Sequence, residues 1–565
     1  MWFGKLSFLL QLFVISSLFQ VPAFAIKKSY IVYLGSHAHA PQVSEADLHR
    51  VTDSHHEFLG SFLGSTEKAK EAIIYSYKRH INGFATTLEE EEAAQIARVP
   101  VKSFLNSARD HEGHGSHTLS TAGGNFVPGA NVFGLGNGTA KGGSPKARVA
   151  AYKVCWPPIN GSECFDADIM AAFDAAIHDG VDVLSISLGG DPSDYFSDGV
   201  SIGAFHAVKN GIVVVCSAGN SGPAAGTVSN VAPWMITVGA STLDREFETM
   251  IELRNGMRLK GTSLSRPLPD DIFYPLITGA QAKADNASAK DAMLCLGGSL
   301  DPKKVKGKIL ACLRGLSARV DKGQQASLAG AVGMILCNDE ASGNELIADP
   351  HVRTQKKKKE KEKKKKKESP SAIRSAIMTT ARTRDNTVNP MMNASFVEAT
   401  PFSYGSGHIR PNRAMDPGLI YDLSANDYLD FLCAIGYNKT TIQLFSEGPN
   451  YKCPESASLL DFNYPSISVP RLSGSVTVTR RLKNVGSPGT YAVRIKRANG
   501  ISVSVEPNVL RFKSVGEEKS FRVTLKAKPK RGGVAKGDYV FGGLTWSDGK
   551  HYVRSPIVVA SAAAV

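Results

Sequence analysis

The chain has 565 residues, enough for three or four domains, and a net charge of +14. Its apolar fraction of 42% and charged fraction of 21% are ordinary for a soluble globular protein. The charge does not indicate a nucleic-acid partner, because half of it comes from ten Lys and three Glu at 356–368.

Residues 1–25 have the organisation of a secretory signal peptide. Lys5 precedes a short apolar stretch at 6–19, and Ala-Phe-Ala at 23–25 is typical of a cleavage site. A membrane anchor is the alternative, but the stretch is short, and no later segment reaches the ~20 apolar residues that a helical span needs. We therefore predict a soluble, secreted mature protein with no membrane segment.

Eight cysteines lie between Cys155 and Cys453, and secretion makes disulfides possible. Cys155 with Cys164, and Cys295 with Cys312, are close enough to pair around a loop, although eight cysteines allow about 105 pairings. No Cys/His spacing typical of a metal site is present. Five Asn-x-Ser/Thr sequences are candidate glycosylation sites, at Asn137, Asn160, Asn286, Asn393 and Asn438.

Residues 26–106 predict a small α+β domain. Strand-like and helix-like runs follow one another in the order βαββαβ, which is that of a ferredoxin-like domain. They lie at 29–34, 45–62, 72–77, 83–88, 89–97 and 101–105, with a turn predicted at Asn82-Gly83. The position of this domain, between a signal peptide and the motif described below, favours a propeptide that assists folding and blocks a cleft.

Residues 146–243 alternate strands with helices. The predicted strands lie at 148–154, 181–187 and 211–216, and the predicted helices at 167–178 and 202–209. Strands that alternate with helices predict a parallel sheet covered on both faces.

Three further regions differ in composition. Residues 246–352 hold short apolar strands, such as 308–312 and 333–337, among many turn residues, which is typical of an inserted domain. Residues 353–368 contain the Lys/Glu run, which is disordered or a solvated helix rather than core. Residues 456–565 alternate apolar with polar side chains and predict an all-β sandwich.

The sequence DHEGHGSHT at 110–118 contains a candidate catalytic histidine. A histidine that activates a hydroxyl nucleophile lies at a cleft edge, with its second ring nitrogen held by a carboxylate. His114 suits this role, since small Gly115 follows it and an apparent helix continues the segment. A metal site is the alternative, but no third ligand stands at a recognisable spacing. HGSH resembles the HGTH motif of subtilases, the subtilisin-type serine proteases.

Two later segments resemble the same family. SAGNSGP at 217–223 follows a predicted strand and resembles the loop whose Asn amide donates to the oxyanion, which implies that role for Asn220. A simple Asn-Gly turn after a strand is the alternative. SLGG at 187–190 resembles the edge that pairs with an extended substrate. The implied substrate-binding residues are Ser187, Leu188 and Gly189.

The resemblance extends over nearly the whole chain and is to a plant-type subtilase of the cucumisin-like group. The sequences at 371–381 and 404–409 resemble segments that follow the nucleophile helix in this family. The implied fold is multidomain, with an incomplete α/β subtilisin-like parallel-sheet catalytic domain. Its parts are a signal peptide at 1–25, an inhibitor I9-like propeptide at 26–106, catalytic segments at 107–245 and 369–455, a protease-associated insertion at 246–352, the Lys/Glu run at 353–368 and a fibronectin III-like sandwich at 456–565.

The resemblance also implies a function. The family activity is endoproteolysis through an acyl-enzyme, with His114 as general base and then general acid. Polypeptide substrates or related proteases are the implied partners, and no metal or organic cofactor is implied. The implied location is extracellular, in the apoplast or cell wall.

Two of the three catalytic motifs of the family are missing from this sequence. No Asp-Thr-Gly strand precedes His114, and Asp110, the nearest carboxylate, corresponds to the loop before the histidine. The only likeness to the nucleophile motif is GTSLSRP at 261–267. We interpret its Ser263 as a decoy, because the prolines and aspartates that follow cannot build a buried apolar helix. We therefore predict neither a triad Asp nor a nucleophile Ser.

The Lys/Glu run stands where the nucleophile helix belongs. Our hypothesis is that it is translated low-complexity sequence from a faulty gene model or a decayed gene. The chain is then expected to be inactive, with a catalytic domain that is unstable or absent as a compact unit. The alternative is a non-catalytic secreted protein, whose propeptide-like unit inhibits related proteases or whose β domains form a binding scaffold.

Overall fold

The computed structural model shows four regions: an N-terminal unit, the region of the predicted catalytic motifs, an inserted region and a C-terminal part. It describes residues 28–36, 44–89, 110, 113–159, 162–222, 226–243, 246–265, 268–269, 272–339, 342–343, 346–348, 368–393, 396–446, 451–496, 498, 500–528 and 539–561. The predicted signal peptide and nearly all of the Lys/Glu run lie outside these residues.

The N-terminal unit, comprising the described residues between 28 and 89, is a three-stranded antiparallel sheet with two helices. Its elements are β1 (Lys28–Ser36), α1 (Glu45–Leu63), α2 (Thr66–Ala72), β2 (Ile73–Tyr77) and β3 (Ile81–Leu88), and the sheet order is β1-β3-β2. Ser44 begins α1 with a capping box, and Gly64 ends it at φ +74°. Buried Leu59 and Phe84 belong to its core.

Several predictions for this unit are confirmed and two are corrected. The first three strands and the long helix are found, but the turn lies at 78–80, and Asn82-Gly83 is part of β3. Helix α2, capped by the Ser65 side chain, was not predicted. The helix predicted at 89–97 and the strand at 101–105 lie outside the described residues, except Glu89, which is not helical.

The next region carries the predicted catalytic motifs. Its elements are α3 (His114–Gly123), β4 (Val127–Val132), β5 (Leu135–Ala140), β6 (Cys155–Ile159), β7 (Ser162–Cys164), α4 (Asp166–His178), β8 (Val183–Ile186), α5 (Gly199–Lys209), β9 (Val213–Ser217) and β10 (Ile236–Val238). Strands β10, β9 and β8 form a parallel sheet in that order. The predicted parallel sheet is therefore confirmed, with three described strands.

The strand predicted at 148–154 is wrong. These residues follow an irregular, partly exposed path, and the chain enters a strand only at Cys155. An extended segment becomes a strand only where a neighbour pairs with its backbone N–H and C=O groups. Among the described strands of this sheet, β8 is at the edge, and Val183 is 55% exposed although the sequence predicts a buried strand.

The inserted region forms a hairpin and a small parallel sheet. Its elements are β11 (Glu248–Glu252), β12 (Arg258–Thr262), β13 (Leu276–Thr278), α6 (Ala289–Met293), α7 (Pro302–Val305), β14 (Ile309–Leu313), α8 (Arg319–Leu328) and β15 (Gly333–Cys337). β13, β14 and β15 pair in that order around a separate core that includes Leu310 and Cys312. The two short strands predicted here are confirmed as β14 and β15.

The C-terminal part begins with short helices and ends in a β-sandwich. The helical segment comprises α9 (Pro370–Thr380), α10 (Pro401–Tyr404), α11 (Pro411–Ala414), β16 (Leu419–Ile420), α12 (Ala425–Ala434) and α13 (Lys439–Phe445). A 3₁₀ turn at Leu459–Asp461 precedes β17 (Ile467–Leu472), β18 (Ser475–Asn484), β19 (Gly489–Lys496), β20 (Ile501–Glu506), β21 (Val509–Phe512), β22 (Glu518–Ala527), β23 (Tyr539–Ser547) and β24 (Tyr552–Ser561). Two sheets, β16-β18-β22-β20 and β17-β24-β23-β19-β21, enclose a core around Trp546, which confirms the sandwich.

One hydrophobic core joins several regions. It contains buried side chains from β2 and β3, from α4, α5 and β9, and from α12 and α13. Phe205, Trp234 and Phe445 meet near its centre, with Phe205 and Phe445 only 4.3 Å apart between ring centroids. The described residues of the catalytic segments therefore pack into one core, and the expected instability of the catalytic domain stays a prediction.

Three disulfides join cysteines that are near in sequence. Cys155–Cys164 and Cys295–Cys312 confirm the two predicted pairs, and the third links Cys433 with Cys453. The other two cysteines are free, and Cys216 is buried whereas Cys337 is exposed. None of the helices that the structure describes is long and apolar enough to cross a membrane.

Candidate active site

His114 lies at the start of α3, where a carboxylate holds the helix end. The Asp110 carboxylate accepts hydrogen bonds from the Gly113 N–H (2.8 Å) and the Ser116 N–H (2.7 Å). Gly113 has φ +87°, a conformation that favours glycine. These two bonds give Asp110 the role of a helix cap.

The His114 imidazole is isolated. Helix α3 contains no buried residue, and His114 itself is exposed. Within the described residues the structure shows no hydrogen bond to its ring. A general base must lie within hydrogen-bond reach of the hydroxyl that it deprotonates, at about 2.6–3.2 Å. His114 therefore has neither a nucleophile nor an orienting carboxylate on its ring here.

The loops after β8 and β9, by contrast, are bound to each other. The Asn230 side-chain amide donates to the carbonyl oxygens of Leu188 and Ser217, both at 2.8 Å. The Ser217 hydroxyl donates to the same Leu188 oxygen at 3.2 Å. Because parallel strands end at the same sheet edge, these bonds hold the segment 187–190 beside the loop that carries exposed Asn220.

Ser229 lies where these two loops approach most closely. A Cβ built on Gly189 would lie 2.8 Å from the Ser229 hydroxyl oxygen, and one on Gly219 would lie 2.4 Å from it. Gly219 also has φ +85°, so a side chain there would be strained as well as crowded. Ser229 is 3% exposed, and its hydroxyl has no hydrogen-bond partner among the described residues. Two glycines and one buried serine thus set the spacing of the loops.

The structure brings together only some of the predicted site residues. Ser187, Leu188 and Gly189 lie beside the Asn220 loop, but no hydrogen bond in the described part of the chain links His114 to either loop. Ser263 follows β12, and its hydroxyl oxygen accepts the Ser265 N–H at 3.0 Å. This contact is local to the hairpin end, and the interpretation of Ser263 as a decoy stays a prediction.

Sequence reasoning missed Ser229 and Asn230. Asn230 acts across 42 positions on Leu188 and across 13 on Ser217, and no motif marks such contacts. Its φ of +55° suits an asparagine, but the sequence around it gives no turn pattern.

A Ser–His contact lies away from His114, with its histidine in the segment 404–409. The Ser241 hydroxyl oxygen is 2.6 Å from His408 Nε2, and His408 exchanges backbone hydrogen bonds with Arg382. Among the described residues no carboxylate accepts a hydrogen bond from the His408 ring. The contact therefore joins two segments of the chain, and it lacks the third member of a triad.

Glycosylation candidates and metal ligands add little to this site. Asn137 and Asn286 are exposed, Asn393 accepts the Val397 N–H, and Asn438 caps α13 through the Thr441 N–H. Asn160 lies outside the described residues. Across the described ranges, no group of three or more His, Cys, Asp or Glu side chains is placed to hold a metal ion.

The sequence matches three families of domains. Residues 52–311 match the Subtilase family, residues 272–380 match the PA domain, and residues 461–559 match the Fibronectin type-III domain. The fibronectin match coincides with the β-sandwich, and the PA match includes the sheet β13-β14-β15.

Two curated relatives are similar along almost their whole length. Subtilisin-like protease SBT5.4 of Arabidopsis thaliana is 48% identical over 762 positions, which include 98% of this chain and 97% of the relative. Subtilisin-like protease SBT5.3 of the same plant is 42% identical over 744 positions, with 94% of this chain and 96% of the relative. Among solved structures, S41 Psychrophilic Protease is 26% identical, covering 28% of this chain and 47% of its own, with a TM-score of 0.20, too low to compare geometry.

The alignment with SBT5.4 is longer than this chain. Its 762 positions exceed the 565 residues here by 197, so at least 197 aligned positions are filled in the relative alone. Because the alignment includes nearly all of both chains, those positions correspond to internal gaps in this sequence.

Proposed function

This chain belongs to the subtilase family of serine proteases, and from that premise we propose that it is a secreted member that no longer cleaves peptide bonds. The isolation of His114 carries the proposal. In the described structure neither a hydroxyl nor a carboxylate bonds to its ring, and the sequence lacks both an Asp-Thr-Gly and a Gly-Thr-Ser-Met motif. His114 therefore has no nucleophilic hydroxyl in reach from which it could accept a proton.

The expected loss of catalytic rate is large. In subtilisin, removal of the nucleophilic serine lowers kcat about 2 × 10⁶-fold, and removal of the other two triad members adds little. The oxyanion donors and substrate contacts alone give about 10³–10⁴-fold over water, provided that the site is assembled.

The loops at the carboxyl ends of β8 and β9 are the part that we propose keeps a function. The bonds of Asn230 fix the segment 187–190 beside the Asn220 loop, and β8 is at the edge of the sheet among the described strands, where an extended polypeptide can add. Binding of a polypeptide strand without its cleavage is thus the activity that this geometry supports.

An active-site probe tests the proposal. The purified secreted chain, its His114→Ala variant and an intact subtilase prepared in the same way are treated with a fluorophosphonate, which labels an activated serine. We expect labelling of the intact subtilase and none of this chain or its variant. Labelling of this chain that disappears in His114→Ala would show a working nucleophile and refute the proposal.

The origin of the gaps has its own test. Sequencing the full-length transcript across codons 100–110 and 350–372 distinguishes a faulty gene model from a truncated protein. Extra codons for an Asp-Thr-Gly strand and a Gly-Thr-Ser helix would make the chain a damaged copy of an active protease. A transcript that matches the chain supports a subtilase without a triad, whose function is binding.

A further inference from the structure

One sheet of the β-sandwich carries positive charge with no negative charge in its strands. The strands of the sheet β17-β24-β23-β19-β21 contain five Arg or Lys residues and no Asp or Glu. Three of these cations, Arg494, Lys496 and Arg511, are exposed, and within the part of the chain that the structure describes no carboxylate pairs with them. Asp548, which follows β23, is bound to the His551 ring at 2.7 Å. The three cations are therefore free to attract an external anion.

The strand register places these cations on the outer side of the sheet. Side chains alternate between the two faces of a strand, and the paired residues Tyr491 and Leu510 are buried in the core of the sandwich. Arg494 and Lys496 lie on the opposite side, with main chains about 7 Å apart along β19. Arg511 pairs with Thr490, so its main chain lies about 14 Å from that of Arg494 on the same side. The three form a row about 20 Å long.

The body of the molecule, meaning the chain before the sandwich, covers the other half of this outer face. Phe402 packs edge-on against Tyr539 and Phe541, with ring centroids 4.8 and 5.2 Å apart. Arg554 donates a hydrogen bond to the Ser406 carbonyl oxygen. The covered half belongs to β23 and β24, whereas the half formed by β19 and β21 is open. The row of cations thus lies beside the junction with the body and is exposed to solvent.

Cations on the opposite sheet, by contrast, have carboxylate partners. Arg481 of β18 lies 2.9 Å from Glu518, and Lys483 of the same strand lies 3.1 Å from Asp422. Both sheets face solvent, so solubility alone does not require unpaired cations on β19 and β21. The difference in charge balance between the two sheets indicates an anionic partner for the first of them.

A row of exposed cations favours an anionic polymer over a small anion. One exposed ion pair strengthens binding at most about fivefold, so a partner gains measurable affinity only through several charges along its length. Tyr552 lies on the same face, two strands across from Ala492 and about 10 Å from it. It is 51% exposed, and its hydroxyl donates to the Gly549 carbonyl oxygen at 3.3 Å, so its ring offers a fixed surface beside the cations.

We propose that the outer face of β19 and β21 binds an acidic polysaccharide, a linear chain of sugars that carry carboxylates. Arg guanidinium groups match the geometry of carboxylates, and the Tyr552 ring can stack on a sugar. On its outer side the open half has only Ala492 and Val509 as apolar residues, too few for the core of a protein–protein interface. The choice of a polysaccharide rests on the proposed secretion, since acidic glycans are the linear polyanions outside cells.

Binding of sodium polygalacturonate by the purified full chain tests the proposal. Isothermal titration calorimetry at 50 mM salt is expected to show binding that weakens about tenfold at 200 mM, because two or three counterions are released. The fully methyl-esterified polymer keeps the sugar chain without its charges, and we expect it and monomeric galacturonate not to bind. Equal binding of the methyl ester would overturn the proposal.

A pair of charge-reversing variants assigns the binding to this face. Arg494→Glu with Lys496→Glu is expected to raise the dissociation constant at least about tenfold. Lys526→Glu with Lys528→Glu makes the same change of charge at exposed positions of the opposite sheet and its end, and less than about a twofold effect is expected. The ten Lys of the run 356–367 are the same in all these proteins. Equal loss in both variants, or loss in neither, would assign the binding to net charge or to that run and overturn the proposal.

Other polyanions and the aromatic ring separate the remaining outcomes. Tyr552→Ala is expected to weaken polygalacturonate binding about threefold with the same salt dependence. Unchanged affinity in that variant, or tighter binding of single-stranded DNA or of anionic phospholipid vesicles than of polygalacturonate, would overturn the assignment to a polysaccharide. Thermal unfolding of each variant, expected to match that of the unsubstituted chain, excludes misfolding as the cause. Labelling by the fluorophosphonate would refute the proposed loss of activity and leave this proposal intact.

Discussion

Single carboxylates fix local structure in this chain by accepting main-chain N–H groups. Asp110 does so at the start of α3, Asp174 at the turn between β2 and β3, and Asp548 in a sandwich loop. Burial opposes ionisation of Asp548, but hydrogen bonds from the His551 N–H, the His551 ring and the Lys550 N–H lower its pKa to about 2. Such residues act by positioning the main chain, and the sequence did not predict this role for any of the three.

Loss of the Asp110 cap is expected to open α3. The helix has no buried side chain, and an isolated ten-residue helix is marginal in water. Asp110→Ala should destabilise it by about 1 kcal/mol, which raises the hydrogen-exchange rates of the 114–118 amides about fivefold. Exchange measured by mass spectrometry, with Asp321→Ala in α8 as control, checks this. Unchanged rates would mean that the cap is not what holds the helix.

Asp548 gives the sandwich a dependence on pH. A lowered folded pKa means a stabilising contribution that is complete above the unfolded value of about 3.9 and lost as the pH falls towards 2. Asp548→Asn should reduce the free energy of unfolding by about 1–2 kcal/mol at pH 7, and this difference should shrink between pH 4 and pH 2. Urea unfolding across that range measures it, and a difference independent of pH would contradict the cause given.

The site residues fall into two groups: those proposed from short sequence motifs, and those whose contacts join positions far apart in the sequence. His114, Asn220 and the segment 187–190 were proposed from short motifs, and their roles remain proposals. Ser229 and Asn230 act on glycines and carbonyl oxygens that only folding brings near, so no local pattern predicted them. The isolation of His114 was expected from the missing motifs, whereas the cap formed by Asp110 was not.

Among the elements, β8 shows the largest difference between the burial that its sequence predicts and the exposure that is observed. It was predicted as a strand of a sheet covered on both faces, yet Val183 and Ser185 are exposed, and β8 ends the sheet on one side in the described structure. An exposed, apolar edge strand pairs readily with another chain. The predicted strand at 148–154 is not found for a related reason, because strand formation depends on a neighbour, and none of the described strands pairs with these residues.

A charge on β8 is expected to suppress self-association. Ser185→Lys places an ammonium on the open edge, a device that natural sheets use against pairing. We expect the unsubstituted chain to form dimers and larger species as its concentration rises, and the variant to do so at concentrations about tenfold higher. Ser193→Lys, on the exposed loop after this strand, adds the same charge elsewhere and is the control. Sedimentation velocity distinguishes the three proteins, and equal association would exclude the β8 edge as the contact.

Helices α4 and α5 and strands β14 and β15 were predicted near their observed bounds. Each has a strong local pattern, and each packs on neighbours that are present in the chain. Helix α2 was missed because its seven residues give too short a pattern, although Ser65 caps it. Local periodicity therefore predicted a helix or strand correctly where the residues that pack on it are present in the chain.

At the scale of the whole molecule, the cores differ in how completely they are enclosed. The sandwich surrounds Trp546, Phe521 and Tyr491 with two sheets, while the shared core of the body relies on a sheet with an open edge. The two parts are joined by β16, which pairs with β18, and by the Tyr421 hydroxyl on Ser555 at 2.7 Å. The multidomain organisation was predictable because each β region carries its own alternation.

Heating is expected to unfold these parts in sequence. The amides of β8, β9 and β10 should lose protection at a lower temperature than those of β22, β23 and β24, because the first sheet is enclosed less fully. Calorimetry should accordingly show more than one transition, with the sandwich in the last. A single cooperative transition, with coincident exchange in both sheets, would show that the body is as stable as the sandwich.

The three disulfides bear on how such a chain tolerates deletion. Each closes a loop of 9, 17 or 20 positions within one region, and none spans residues 107–113 or 353–368, where the family motifs are missing from the sequence. Each bridge therefore depends only on the chain inside its own short loop. The pairing of these six cysteines is thus independent of the length of the segments that connect the regions.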